Sequence, residues 1–250
     1  MSKEKVGGTV YYASKALQKI GIDVTAFARL SKSDSTFLKN IGFKMIPLWS
    51  RTTSVFKNIY DGNWDRKQEV ESVIEPFLAA HIENIEDFDC IHLGPLNNTD
   101  MPLAFVKQIG KSPLISADLQ GWLRKIKDKK IVLSEWKEKE KFLKHFDIVK
   151  CDVQEALVLS GMQSIEDAAG HIFELGPSEV LITDASRGSY IYTGILRKIK
   201  PYKPKTIVDV TGAGDTYTAG YISKRLDSYK PEEAANFASH LATKKIEGSL

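Results

Sequence analysis

The chain has few of the features that would place it outside the cytoplasm or against another macromolecule. Only two cysteines occur in 250 residues, Cys90 and Cys151, and both lie in apolar, strand-like contexts. We therefore expect buried free thiols in a reducing compartment. No run approaches the ~18 apolar residues that a membrane span needs, and no apolar segment follows the charged start, which argues against a secretory signal. The formal net charge of +3 is too small to indicate nucleic-acid binding. These absences predict a cytoplasmic protein with no nucleic-acid and no membrane partner.

Short apolar segments alternate with segments of helical periodicity along the chain. The apolar runs that indicate strands lie at 22–30, 88–96, 113–119, 146–152 and 179–185. Helical stretches lie near 10–21, 68–82, 100–109, 135–143, 152–160 and 164–175, followed by two helices at 213–226 and 231–246. Continuous apolar strands separated by helices predict an α/β fold with a mostly parallel sheet covered on both faces. The length fits a single domain, 1–250.

Polar residues or glycine follow the predicted strands. They are Gly94, Asp118, Asp152, Asp184 and Asp209. Ligands of open α/β sheets bind beyond the carboxyl ends of the strands, so these positions are candidates for a site. The alternative is that aspartate simply favours turns and helix N-caps.

One segment, 50–64, departs from the α/β alternation. Its period-2 patterning and its Asp-Gly pair predict a hairpin. Such a hairpin would serve as a small lid, or as an edge through which two copies pair into a homodimer.

The segment 207–226 carries the most informative pattern. An apolar strand end runs into a Gly-Ala-Gly turn, formed by Gly212, Ala213 and Gly214, and then directly into a helix. The unpaired amides at such a helix start bind an anion. Asp215 follows, and a carboxylate there can accept a proton from an attacking hydroxyl while the amides hold a phosphoryl group. The alternative is a helix residue favoured only by the dipole.

Other phosphate-binding motifs are missing from the sequence. No G-x-x-x-x-G-K-[ST] pattern occurs, and neither H-R-D nor D-F-G is present. Phosphoryl transfer in this chain would therefore use the turn at 212–214.

The run DVTGAGDTYTAG (209–220) resembles the signature of the ribokinase-like family, also called PfkB-type carbohydrate and nucleoside kinases. The resemblance implies an ATP-dependent kinase that phosphorylates a hydroxyl of a sugar, polyol or nucleoside. It implies a three-layer α/β/α fold with a small β lid, here at about 44–64. By resemblance Asp215 is the catalytic base, 212–214 form the anion hole, and Asp209 and Thr211 lie near a monovalent cation, K⁺.

Further segments extend the resemblance over most of the chain. VGGTVYYASKALQKIG (6–21) is similar to the family's first signature and implies substrate contacts from Gly7, Gly8 and Tyr12. TTSVFKNIYDG (52–62) resembles lid strands that cover the substrate, with Asn58 as a contact. ISADLQGWLR (115–124) matches a strand after which Arg124 lies near the substrate and phosphates.

The nucleotide-binding segments are matched as well. FDIVKCDVQEALVLSG (146–161) is similar to a segment with an Asn-x-x-Glu motif, which implies Asp152 near the nucleotide and Glu155 near Mg²⁺ through water. LITDASRGSYIYT (181–193) resembles the nucleotide loop, with Thr183 and Gly188 in place. FASHLATKKIEG (237–248) resembles the final helix, with Ser239 beside the adenine.

The chain also departs from the family pattern. The family's N-terminal strand and its acidic residue have no counterpart before Gly7, and Asp152 stands where the family has asparagine. Three interpretations stay open: a kinase whose sequence begins late, a non-catalytic nucleotide- or sugar-binding protein of the same fold, and a subunit whose missing strand a partner supplies. The sequence does not identify the acceptor.

Overall fold

The computed structural model describes residues 5–60, 66–82, 84–109 and 114–250. The helices are α1 Thr9–Lys19, α2 Leu103–Ile109, α3 Gln120–Leu123, α4 Lys139–Leu143, α5 Val153–Ser160, α6 Ile165–Glu174, α7 Ala213–Leu226 and α8 Pro231–Ile246. The strands are β1 Thr25–Ser31, β2 Lys44–Ser50, β3 Val55–Tyr60, β4 Arg66–Ser72, β5 Ile91–Leu93, β6 Ile115–Asp118, β7 Arg124–Lys127, β8 Lys130–Leu133, β9 Ile148–Asp152, β10 Glu179–Thr183, β11 Ser189–Tyr192 and β12 Leu196–Ile199.

A six-stranded sheet forms the centre of the fold, in the order β12-β11-β10-β9-β6-β5. The pairs β5–β6, β6–β9 and β9–β10 are parallel, and the pairs β10–β11 and β11–β12 are antiparallel. The carboxyl ends of β6, β9 and β10 therefore meet at one edge, which is where the predicted aspartates follow the strands.

Helices cover both faces of this sheet because successive side chains of a strand point to opposite sides. Val149 and Cys151 of β9 pack into an apolar cluster that includes residues of α5 and α6. Ile148, which directly precedes Val149 and so points to the opposite face, packs into a second cluster with Tyr217 and Tyr221 of α7. The prediction of a three-layer α/β/α fold with a mostly parallel sheet is confirmed.

Two smaller sheets lie outside the central one. Strands β1 and β2 pair in parallel with each other. Strands β3, β4, β8 and β7 form an antiparallel sheet in the order β3-β4-β8-β7, which fits the expected lid. The segment predicted as the lid, at about 44–64, is therefore divided: 44–50 is β2, 55–60 is β3, and 61–65 lie outside the described residues.

One local expectation was wrong. A helix was predicted near 68–82, but 66–72 form a strand, because pairing with β3 overrides the local helical pattern. The lysine-rich segment 124–130 forms most of the hairpin β7–β8. Its turn residues Asp128 and Lys129 take φ of 49° and 62°. This hairpin extends the lid sheet.

Within the described ranges, none of the helices combines the length and the apolar character that crossing a bilayer requires.

Candidate active site

The start of α7 forms a tight turn against α1. Gly212 takes φ 79°, and a β-carbon there would overlap the ring of Tyr12, so both backbone conformation and space require glycine. The Ala213 amide closes the turn by donating to the Val210 carbonyl at 3.2 Å. Among the described residues, the amides of Gly212 and Gly214 have no hydrogen-bond acceptor, and free amides at a helix N-terminus can bind an anion.

Asp215 lies in the first turn of α7, beside these amides. Its pKa is raised from the ordinary 3.8 to about 6, mainly because burial disfavours the carboxylate and also because of the nearby Asp118 carboxylate. Lys150, a hydrogen bond from the Thr9 hydroxyl and Arg124 act in the opposite direction but do not cancel the rise. A carboxylate with a pKa near neutrality is well matched to accept a proton.

Lys150 and Asp118 form a buried ion pair beneath this turn. The Lys150 Nζ lies 3.1 Å from Asp118 Oδ2, and the two side chains are 8% and 4% exposed. A β-carbon placed on Gly214 would lie 3.1 Å from the same Nζ, so the ammonium borders the anion-binding turn. Burial would lower the pKa of Lys150, but Asp118, Glu155 and Asp215 raise it above its ordinary value, so the lysine stays charged.

Glu155 and Asp152 start α5 with reciprocal hydrogen bonds. The Glu155 amide donates to Asp152 Oδ1, and the Asp152 amide donates to Glu155 Oε2, each at 2.8 Å. This capping box fixes both carboxylates at the carboxyl end of β9. Burial raises the pKa of Glu155, the nearby carboxylates of Asp118 and Asp152 add to that rise, and Lys150 opposes it.

The predicted substrate residues lie at the start of α1, at the start of β7 and in β3. Gly8 is the N-cap of α1, and Gly7 lies beside Tyr12, whose ring packs against the anion-binding turn. Arg124 begins β7 and influences the charge of Asp215, so it faces the same site. Asn58 lies in β3, but its side chain is outside the described residues.

Three of the residues predicted to bind the nucleotide have structural partners. The Thr183 hydroxyl donates to the Cys151 carbonyl at 3.4 Å, next to Asp152 on the neighbouring strand. Gly188 takes φ 99°, and a β-carbon there would overlap the Ile199 carbonyl. Ser239 is buried, and its hydroxyl donates to the Lys200 carbonyl at 3.5 Å. A nucleotide role for these three residues stays a prediction.

The predicted site for a monovalent cation already contains a positive charge. The Lys245 Nζ donates to the Asp209 carbonyl at 3.0 Å and lies 3.6 Å from Asp209 Oδ2. The Thr211 amide donates to Asp209 Oδ1 at 2.8 Å. Burial acts to raise the pKa of Asp209, but the hydrogen bonds from Thr211 and the Lys245 ammonium outweigh it and lower that pKa. These residues do not fit an added K⁺ ion, because Lys245 uses the oxygens that the ion would take.

Lys150 was not predicted from the sequence, although the sequence contained a signal for it. A lysine in the middle of an apolar strand, DIVKCD, is anomalous because lysine is almost never buried without a partner. That anomaly at a strand directly before Asp152 indicates a charged site. Its partner, Asp118, lies 32 residues away on the adjacent strand and becomes apparent only in the fold.

A sequence model described as the pfkB family of carbohydrate kinases matches residues 112–249. A cytidine kinase of Thermococcus kodakarensis is 29% identical over 125 residues, which are 45% of each protein, so less than half of that relative is matched. A fructokinase of Rhizobium leguminosarum bv. trifolii is 24% identical over 233 residues, 87% of this chain and 70% of the relative.

Among solved structures, one similar protein is a pyrophosphate-dependent kinase in the ribokinase family, complexed with a pyrophosphate analogue and myo-inositol. It superimposes with a TM-score of 0.87 at 25% identity and covers 98% of this chain and 88% of its own.

Proposed function

The chain belongs to the pfkB family of carbohydrate kinases, and from that premise we propose that it transfers a phosphoryl group to a hydroxyl of a sugar, polyol or nucleoside. Asp215 is the general base, and the turn 212–214 forms the anion hole through the amides of Gly212 and Gly214, since the Ala213 amide is bonded to the Val210 carbonyl. The observation that carries the proposal is the junction of unpaired glycine amides, a carboxylate whose pKa is raised to about 6 and a buried ammonium. These are the three groups that a phosphoryl transfer needs beside one another.

The reaction follows from these positions. The acceptor hydroxyl oxygen attacks the terminal phosphorus of the donor, the bond from that phosphorus to the bridging oxygen breaks, and the hydroxyl proton passes to Asp215. The free amides of Gly212 and Gly214 hold the phosphoryl oxygens as negative charge grows on them. Lys150 supplies a fixed positive charge directly below, and Asp118 keeps that ammonium in place.

ATP with Mg²⁺ is the proposed donor. Asp152 and Glu155 present oxygen ligands of the type that Mg²⁺ takes. Within the described part of the chain, no group of three His, Cys, Asp or Glu side chains could hold a metal directly. An ion here would therefore be held through water and the donor's phosphates, where it would neutralise their charge.

Pyrophosphate is a second candidate donor, and a specific observation favours it. The similar solved kinase that is described as pyrophosphate-dependent superimposes on this chain with a TM-score of 0.87, and the predicted adenine residue Ser239 is buried against a backbone carbonyl. The anion hole and Lys150 contact phosphates alone, so they serve either donor.

One experiment tests both the reaction and its donor. Purified protein is incubated with ATP or with pyrophosphate and a panel of sugars, nucleosides and polyols that includes myo-inositol, and phosphorylated product is measured by mass spectrometry. We expect product from at least one acceptor, and none with Asp215→Asn. A melting-temperature shift with donor and acceptor but no product in any combination would instead favour a non-catalytic binding protein.

A further inference from the structure

The last turn of α8 holds the loop that leads into the anion hole. The amides of Val208 and Asp209 both donate to the Ile246 carbonyl, at 2.9 and 3.2 Å. Inside the loop, the Thr211 amide donates to Asp209 Oδ1 at 2.8 Å. The loop is therefore fixed at one end by helix α8 and passes at the other end into Gly212. A change at the end of α8 would reach the phosphate-binding amides through only a few residues.

The Lys245 side chain adds a charge to this junction. Its Nζ lies 3.0 Å from the Asp209 carbonyl, 3.6 Å from Asp209 Oδ2 and 5.5 Å from the centroid of the Tyr12 ring. The side chain is only 15% exposed. A main-chain carbonyl, a carboxylate and an aromatic face are each attracted to a cation, and partial burial strengthens their attraction relative to open water.

The ammonium is linked to the anion hole by two routes. The first runs along the backbone from the Asp209 carbonyl, three residues before Gly212. The second runs through Tyr12, whose ring is in such close contact with Gly212 that a β-carbon there would overlap it. Both routes end at the residue whose φ of 79° sets the direction of the following amides.

We propose that Lys245 is a tethered cation that takes the place of a free monovalent ion and positions the loop 209–212 for catalysis. The inference rests on the proposed kinase function, in which the amides of Gly212 and Gly214 must be aimed at the phosphoryl group. Lys245 touches neither donor nor acceptor in this proposal, so it is a positioning residue. The consequence is an enzyme that needs no potassium or ammonium for turnover, and whose need for one appears when the lysine charge is removed.

A simpler role for Lys245 makes a different prediction. A lysine in the last turn of a helix also interacts favourably with the helix dipole. Loss of that interaction would lower stability slightly and would not be reversed by small cations. Lys244 provides a matched control, because it is the adjacent lysine in the same turn and is exposed.

The test compares wild type, Lys245→Met and Lys244→Met in potassium, ammonium and choline chloride at fixed ionic strength. We expect wild type and Lys244→Met to change by less than about twofold between salts. Lys245→Met should lose roughly ten- to hundredfold in kcat in choline, because a displaced loop misaligns the amides. It should recover most of this loss in ammonium or potassium, which fit between the freed oxygens.

Melting temperatures in the same salts give a readout that does not need turnover. Potassium or ammonium should raise the melting temperature of Lys245→Met by a few degrees over choline, because an ion that binds only the folded state stabilises it. Wild type should show no such difference. Potassium-dependent turnover or melting of wild type would overturn the tethered cation, and so would a Lys245→Met variant that no cation rescues. If wild type has no turnover with any acceptor, the kinase proposal fails while the melting comparison still decides the role of Lys245.

Discussion

Replacement of Asp215 by asparagine should abolish turnover and at the same time stabilise the protein. The pKa of Asp215 is raised from 3.8 to about 6, mainly because burial disfavours the carboxylate. Each pKa unit corresponds to about 1.4 kcal/mol, so keeping this group ionised at neutral pH costs the folded state up to about 3 kcal/mol. Asparagine has nearly the same shape and carries no charge, and it can still accept the hydrogen bond from Thr9.

The pH dependence of this gain has a definite sign. Below about pH 4 the carboxyl is protonated in both the folded and the unfolded state, so the two proteins should be equally stable. Between about pH 4 and 6 the folded state holds the proton longer, so wild type loses stability relative to the variant as the pH rises. Above pH 6 the difference should be complete. For a domain of this size we expect the Tm of Asp215→Asn to rise by about 4–8 °C. The rise is smaller than the full free-energy gain would give, because relaxation around the new amide offsets part of that gain.

The assay is thermal unfolding at pH 7.5 and pH 4.5, together with turnover at pH 7.5. Asp209→Asn is the matched control, because the pKa of Asp209 is lowered and its neutralisation should reduce Tm at neutral pH. Turnover of Asp215→Asn should fall by at least about 10²–10⁴-fold. The reasoning is refuted if Asp215→Asn melts below wild type at pH 7.5, or if it retains a tenth of wild-type turnover.

Three further predictions concern the same site and its support. The kcat/KM of wild type should fall about tenfold per pH unit below pH 6 as Asp215 takes up its proton; a flat profile between pH 5 and 7 would contradict this. Gly214→Ala should fold, because the new methyl meets only the far end of a lysine side chain, but its turnover should fall roughly 10²-fold. Gly212→Ala should have a much lower melting temperature, because its methyl would overlap a tyrosine ring. Equal melting temperatures of the two variants would contradict this prediction. Arg225→Met should lower stability by about 3 kcal/mol in urea unfolding, since it removes the ion pair of 2.6 Å from the buried Glu179, and a loss below about 1 kcal/mol would show that this pair contributes little.

Much of the fold follows from local patterns in the sequence. The helices at 213–226 and 231–246 have the predicted bounds, because Gly212 and Pro231 mark where they begin and their apolar spacing is regular. The buried strands β6, β9 and β10 were recognisable as continuous apolar runs. The strand β4 was not, because its residues 66–72 have no strong strand pattern and depend on pairing with β3.

The sequence by itself determined the chemistry that the chain carries: a Gly-Ala-Gly turn before a helix, an aspartate beside it and polar residues at strand ends. These features are local, because backbone conformation and helix capping depend on neighbours in the chain. Only the tertiary structure decided that Lys150 meets Asp118 beneath that turn, and that Lys245 meets Asp209 in place of a free ion. Such contacts join residues tens of positions apart. The solvent exposure and the partners of a charged side chain depend on the strands and helices packed around it, so its role cannot be read from its neighbours in the chain.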